Sequence, residues 1–373
     1  MEQQTTGRHE RTAARALALL GSGGTGKNGG TAHESTEGGP REIGASDESL
    51  IAACIAANSS MDEAAATLIA SDMVQSARVA LTRLREYASV DISQFENWAL
   101  ESVLQVRGRP AVRMFGDHLD SLAEHPGSDY WKEWINGYED RIVHSAAVTG
   151  AAMVSLFSSG LPAWVQGSAW LVSADRVVTN RHVLLCGPGG KKLVELAADG
   201  TVKGLCAGCS IVIEFAADNR SPSKKISRLV TGVRYIAEER DPVDIAVLTI
   251  EPYTEQEPLT LAASAAKPPQ NLFVVGHPGL KSYVPEEVLA VFGKPDGKKR
   301  VSFGKLLPAA NLAGNIGHDA STIGGYSGGP VVGISDGTVA GLHFYGDPIS
   351  GNLAISAAAI RAHAAHQFMV DAS

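Results

Sequence analysis

Basic charge, cysteine, aromatic rings and long apolar runs are all scarce in this 373-residue chain. Lys and Arg number 32 against 40 Asp and Glu, a formal charge of −8. That balance argues against a nucleic-acid or anionic-membrane partner held by bulk electrostatics. No uninterrupted apolar run reaches the roughly 18 residues of a spanning helix, so no membrane segment is expected. The four cysteines, Cys54, Cys186, Cys206 and Cys209, are too few for a disulfide scaffold. A short apolar run at 13–20 is broken by Arg15, follows Glu2 and Glu10, and lacks a small-x-small cleavage site. It makes a poor secretory signal, so the chain reads as cytoplasmic with free thiols. A chain this long buries about three quarters of its unfolded surface and needs no metal or disulfide staple.

What is abundant is glycine, and it is unevenly spread. Nine of the residues between 21 and 46 are glycines among Ser, Thr, Asn and charges. Such a segment cannot offset its ordering entropy by burial, so residues 1–46 read as a disordered N-terminal region. Within it, the run from Gly21 to Asn28 nearly matches a phosphate-binding loop. Asn28 stands where a Mg²⁺-holding hydroxyl is needed, and no strand precedes the loop.

From residue 47 the pattern becomes helical. Ser60-Met-Asp-Glu63 and Ser93-Gln-Phe-Glu96 both fit the capping box. Leu68, Met73, Ala77, Leu81 and Leu84 follow the first box at helical spacing, and Phe95, Leu100, Val103 and Leu104 follow the second. A further helix is expected over 129–142. Residues 47–147 hold no catalytic cluster and read as a helical domain for regulation or partner binding.

Beyond residue 148 short β-branched runs separated by Gly, Pro and Asp take over, at 153–157, 169–172, 177–179, 210–215, 245–249, 272–275, 331–334 and 338–342. Short strands at this spacing indicate an all-β barrel or sandwich. The Ala-rich stretch 355–368 reads as a closing helix. Three segments here carry chemistry-bearing residues: Thr179-Asn-Arg-His182-Val, Asp244-Ile-Ala-Val-Leu and Gly324-Gly-Tyr-Ser327-Gly-Gly-Pro-Val.

Together these segments resemble the histidine, aspartate and nucleophile motifs of bacterial trypsin-like serine peptidases, in the order His, Asp, Ser that the chymotrypsin fold uses. The resemblance covers 148–368; a weaker one extends over 94–147 through Glu96-Asn97 and Gly108-Arg109-Pro110. It implies a mainly β domain at 148–373, built of two six-stranded antiparallel barrels, behind the N-terminal helical domain. It also implies a serine endopeptidase with His182 as base, Asp244 orienting it, and Ser327 as nucleophile. Asp241 is the competing carboxylate, but it precedes a proline and the apolar strand starts after Asp244. The amides of Gly325 and Ser327 become the oxyanion donors. No cofactor or metal is implied, and the substrate is a protein or peptide.

In the resembled family the residue six before the nucleophile lines the specificity pocket; here it is Ser321, which does not favour basic side chains. Thr322 and His343 are similar to the pair that cradles a carboxylate in glutamyl endopeptidases, which implies an acidic preference; the alternative is that His343 packs as a strand residue beneath a small, neutral pocket. Arg141-Ile-Val143 has the look of an activation cleavage site, but the freed amino terminus needs an acidic partner and meets Tyr326 instead. That residue departs from the family's Asp or Asn, so the oxyanion turn is expected to need a bound partner to form. The run Gly325–Gly329 also fits the G-x-S-x-G elbow of α/β-hydrolases, but Pro330 and a β-branched run follow, where that fold needs a helix. Cys206-Ala-Gly-Cys209 with Cys186 lacks a fourth ligand at zinc spacing. The alternative to an active peptidase is a latent or low-turnover module, a partner-regulated effector or peptide binder in a bacterial defence or stress pathway.

Overall fold

The computed structural model describes residues 45–58, 61–86, Ser93, Phe95, Glu96, Ala99 and, from 109 to 370, all but 123–124, 126–127, 158–161, 186–191, 198–201, 219–225, 269, 280–295, 308–313 and 348–350. The glycine-rich region, Leu100, Val103, Leu104 and Cys186 lie outside the described residues. Two compact units emerge, divided chiefly between Gly108 and Arg109.

The first unit contains helices α1 (Ala45–Asn58) and α2 (Glu63–Glu86). Ala66, Ala70, Met73, Ala77, Ala80 and Leu81 are buried at spacings of three and four, one face of a helix. Leu68, expected on that face, is 70% exposed, because two residues of helix turn it about 200° away from Ala66. The cap also differs from expectation: Asp62 accepts the amide of Ala65 at 2.8 Å and serves as N-cap. The second capping box is formed as read. The Ser93 amide donates to Glu96 (2.7 Å) and the Glu96 amide to Ser93 Oγ (3.2 Å).

The second unit opens with strand β1 (Ala111–Arg113) and helix α3 (Tyr130–Ala147). Trp131, Ile135, Ile142 and Ala146 on α3 belong to the same apolar cluster as the barrel strands. The division expected near residue 147 therefore falls at 108–109, because α3 has its apolar face on the β core. Arg141–Val143 lies inside this helix, with Ile142 fully buried.

The first barrel is closed by strands β2 (Thr149–Leu156), β3 (Trp164–Ser173), β4 (Arg176–Thr179), β7 (Cys209–Glu214), β8 (Ser227–Ile236) and β9 (Ala246–Ile250), in the order β2-β3-β4-β9-β8-β7. A small hairpin of β5 (Val194–Leu196) and β6 (Val202–Leu205) precedes β7. The second barrel runs β11 (Arg300–Leu307), β10 (Asn271–Gly276), β13 (Pro330–Gly333), β14 (Val339–Asp347), β15 (Gly351–Ser356) and β12 (Asn315–His318). Pairing of Leu306 with His318 closes that ring, and β1 adds to β11 outside it. These two six-stranded antiparallel barrels form a chymotrypsin-like fold.

The closing helix expected over 355–368 begins instead as a strand. Residues 351–356 supply the sixth strand of the second barrel, Ile355 facing Asn315. Extended Ser356 then ends the strand and caps a short helix, its hydroxyl accepting the Ala359 amide. Barrel closure outweighs the helix propensity of the alanines, because an open edge would leave a row of backbone groups unpaired.

Trp131 is fully buried against Phe303, ring centroids 5.5 Å apart. Trp131→Ala in the full chain is expected to lower unfolding free energy by about 3–5 kcal/mol, read from urea denaturation. A loss below about 1 kcal/mol would mean that α3 is not part of the core.

Candidate active site

Strand pairing brings the histidine and aspartate motifs together. β4 ends at Thr179 directly opposite Ala246 of β9. The residues just after β4 and just before β9 are therefore forced to be neighbours. A short helix, α4 (Arg181–Leu185), starts there and carries His182.

Asp244 grips His182 at two points. Its Oδ2 lies 2.5 Å from His182 Nδ1, and its Oδ1 accepts the His182 amide at 3.0 Å. Asn180 Nδ2 donates to the Asp244 carbonyl at 2.8 Å, and Arg181 Nε stands 3.8 Å from Oδ1. Burial pushes the Asp244 carboxyl up. The hydrogen bonds and charge of His182, with Arg181 beyond, outweigh that and hold it below the usual aspartate range. Asp241 is engaged elsewhere, with His363 Nε2 at 2.9 Å and the Val243 amide.

Ser327 comes from the other barrel, between Gly325 (φ 100°) and Gly328 (φ 88°), just before β13. A Cβ on Gly328 would lie 2.1 Å from the Ser168 carbonyl, so only glycine fits this turn. At Gly167 a Cβ would meet Val183 Cγ2 at 2.7 Å and the Ser327 carbonyl at 2.9 Å. The neighbour of His182 and the backbone of Ser327 thus meet over one glycine.

Every carbonyl of the turn is tied. Gly324 O accepts from the Gly279 amide (2.8 Å), Gly325 O from Ser168 Oγ (2.9 Å), Tyr326 O from the Gly329 amide (2.8 Å) and Ser327 O from the Ser168 amide (2.8 Å). In a trans peptide the N–H points opposite the carbonyl. The Gly325 and Ser327 amides therefore face away from these anchors, and among the described residues neither has an acceptor. The Tyr326 and Gly328 amides, by contrast, donate to Ile323 O and His343 O. The turn is anchored from within the chain, contrary to the expectation that Tyr326 leaves it unformed. Tyr326 itself is 1% exposed, bonds Ser302 Oγ at 2.8 Å, and is pushed up to about 12 by burial.

The expected pocket residues are close in the fold but differently engaged. Ser321 is buried and donates to the Arg109 carbonyl at 2.6 Å. Thr322 donates to Asn352 Oδ1 at 2.7 Å. His343 is 2% exposed with Nδ1 3.1 Å from His318 Nε2. Burial, then His318 and His182 nearby, hold His343 well below the usual imidazole range, so it is neutral. His318, Asn352 and His277 were not singled out from sequence; each is polar and isolated along the chain, with no motif around it. Among the described residues no group of three or more His, Cys, Asp or Glu suits a metal. Cys206 and Cys209 are free thiols at a turn, the Cys209 amide bonding Cys206 O, and burial raises the Cys209 thiol. No described helix is long and apolar enough to cross a membrane.

Residues 167–342 match the family model of a trypsin-like peptidase domain. The match supports a trypsin-like serine peptidase. It starts at Gly167 and takes in all three motif segments, but covers less than half of the chain. No curated protein matches the sequence. Among solved structures, the active form of the Rv3671c protease from M. tuberculosis is 20% identical, with a TM-score of 0.39 over 63% of this chain and 86% of its own. The serine endoprotease from Yersinia pestis is 18% identical, with a TM-score of 0.38 over 59% and 62%. At those values neither likeness bears on activity.

The sign of the Asp244 effect gives a stability test. A carboxyl lowered by folding stabilises the fold above its unfolded pKa and loses that contribution as pH falls through its folded value. Urea midpoints measured from pH 6 down to 2.5 should therefore fall less steeply for Asp244→Asn than for the wild type. Parallel curves would show that the His182 contact does not perturb the carboxyl.

Proposed function

We propose that the protein is a serine endopeptidase that works through an acyl-enzyme on Ser327. The observation that carries the reading is the two-point grip of Asp244 on His182. A serine hydroxyl is a weak nucleophile at neutral pH and needs a base during attack. With Nδ1 held by Asp244, the Nε2 of His182 is left to take the Ser327 proton. Asp244 fixes the tautomer and stabilises the imidazolium that forms. The developing oxyanion accepts from the Gly325 and Ser327 amides, each worth on the order of 3 kcal/mol of barrier. His182 then gives its proton to the leaving amine, and water repeats the sequence to release the acyl group.

The reading extends to an acidic residue before the scissile bond. Ser321 brings no charge to the pocket, and its hydroxyl proton is spent on the Arg109 carbonyl. His343, with Nδ1 turned to His318, keeps Nε2 for a ligand. A carboxylate arriving there would favour the protonated imidazole and gain a charged hydrogen bond. Residues ahead of 109 are the part left for a regulatory protein partner.

Cleavage of a denatured-proteome peptide library, read by mass spectrometry, tests both statements. Ser327→Ala should abolish the cuts, a loss on the order of 10⁶-fold, and Asp244→Asn should slow them by roughly 10⁴-fold. Cuts that survive Ser327→Ala would overturn the nucleophile. Glu and Asp should be enriched before the cut bonds, and His343→Leu should erase that enrichment. An identical pattern in the variant would remove His343 from the pocket.

A further inference from the structure

Ser168 and His277 form a buried polar pair beneath the nucleophile turn, and neither belongs to the catalytic machinery described above. Both are fully buried. Ser168 Oγ lies 2.9 Å from the Gly325 carbonyl, 3.1 Å from the His277 amide and 3.2 Å from His277 Nδ1. A carbonyl only accepts, so the single hydroxyl proton of Ser168 goes to Gly325 O. The two lone pairs of Oγ then accept from the His277 backbone N–H and from Nδ1–H. The hydroxyl is saturated, and the tautomer of His277 follows: the proton sits on Nδ1.

That arrangement leaves His277 Nε2 as a buried acceptor with no partner among the described residues. Burial, then the charges of Lys299 and Arg300, hold the imidazole neutral, so a second proton does not relieve it. An unpartnered buried nitrogen costs stability, and an apolar side chain of the same volume would avoid the cost. What the imidazole supplies in return is a fixed orientation for the Ser168 hydroxyl. Ser168 also donates its own amide to Ser327 O at 2.8 Å. One residue of the first barrel therefore holds carbonyls on both sides of Tyr326 in the second.

We infer that Ser168 and His277 are positioning residues that lock the Gly324–Ser327 turn with its two amides presented to the oxyanion. The lock links the barrels through neutral hydrogen bonds, and no freed amino terminus takes part in it. This inference rests on the endopeptidase reading for its catalytic consequence, but not for its geometry.

Three measurements on the full-length protein test it. In wild-type protein with ¹⁵N-labelled histidine, NMR should show the His277 Nδ1–H tautomer, assigned by its loss in His277→Leu; an Nε2–H tautomer overturns the network. Crystals of Ser168→Ala should show the Gly325 carbonyl turned from its wild-type direction; an unchanged turn overturns the lock. With fluorescein-labelled casein, kcat should fall roughly 10- to 100-fold in Ser168→Ala and His277→Leu, part of the loss from deleting an oxyanion donor. KM should stay within about twofold, because the ground-state contacts are untouched. His277→Asn, which keeps an N–H able to reach Ser168, should recover most of the rate. A loss confined to thermal stability, with kcat unchanged, would make the pair merely structural and overturn the inference. If wild-type casein cleavage is absent or survives Ser327→Ala, the endopeptidase reading falls, and the NMR and crystal results alone decide the lock.

Discussion

The site depends on one seam, where Gly167 and Ser168 of the first barrel run against the Ser327 turn of the second. Ser168 donates its amide to Ser327 O and its hydroxyl to Gly325 O, and the Thr179 hydroxyl donates to Ser168 O. Gly167 has no room for a side chain between Val183 and Ser327 O, and Gly328 has none against Ser168 O. Two glycines therefore set how closely the barrels approach. That closeness brings Val183, next to His182, and the Ser327 carbonyl against the same glycine. Interiors at crystal-like packing density give little freedom to adjust such a seam.

Each residue of the proposed triad is held by neighbours outside it. Asp244 is fixed to His182 by two hydrogen bonds and steadied by Asn180. Arg181 reaches past it to the carbonyls of Glu238 and Asp241. Below the Ser327 turn, Tyr326 fills the space over Gly276, where a Cβ would strike its ring at 2.3 Å. Its hydroxyl bonds Ser302. A neutral phenol in that position suits a turn held by packing and neutral hydrogen bonds, because a buried charge there would need a partner.

Local pattern was readable where a motif or a periodicity was strong. The strands around His182, Asp244 and Ser327 were legible because β-branched residues crowd there. β8 was not, because Arg228 and Arg234 interrupt it and of its residues only Val230 is buried. β11 and β12 were also missed; Arg300 and Lys305 break the apolar pattern of the one and the other is four residues long. In the site, the motif residues stood out, whereas His318 and Asn352 did not. Ser321 meets Arg109 across 212 residues, a contact that no short-range pattern encodes.

Order along the chain set the chemistry on offer: a histidine, an aspartate and a serine in ordered motifs, glycines where the chain must turn sharply, and enough short apolar runs for a β domain. Those are properties of neighbouring residues, and adjacency along the chain is enough to express them. Which groups meet is a matter of the folded chain. It set Asp244 rather than Asp241 on His182, turned 351–356 into the strand that closes a barrel, and moved the unit boundary ahead of α3. It also spent the Ser321 and Thr322 hydroxyls inside the protein and placed Ser168 and His277 under the turn. These outcomes come from strand pairing and from satisfying buried polar groups, which join residues far apart in sequence.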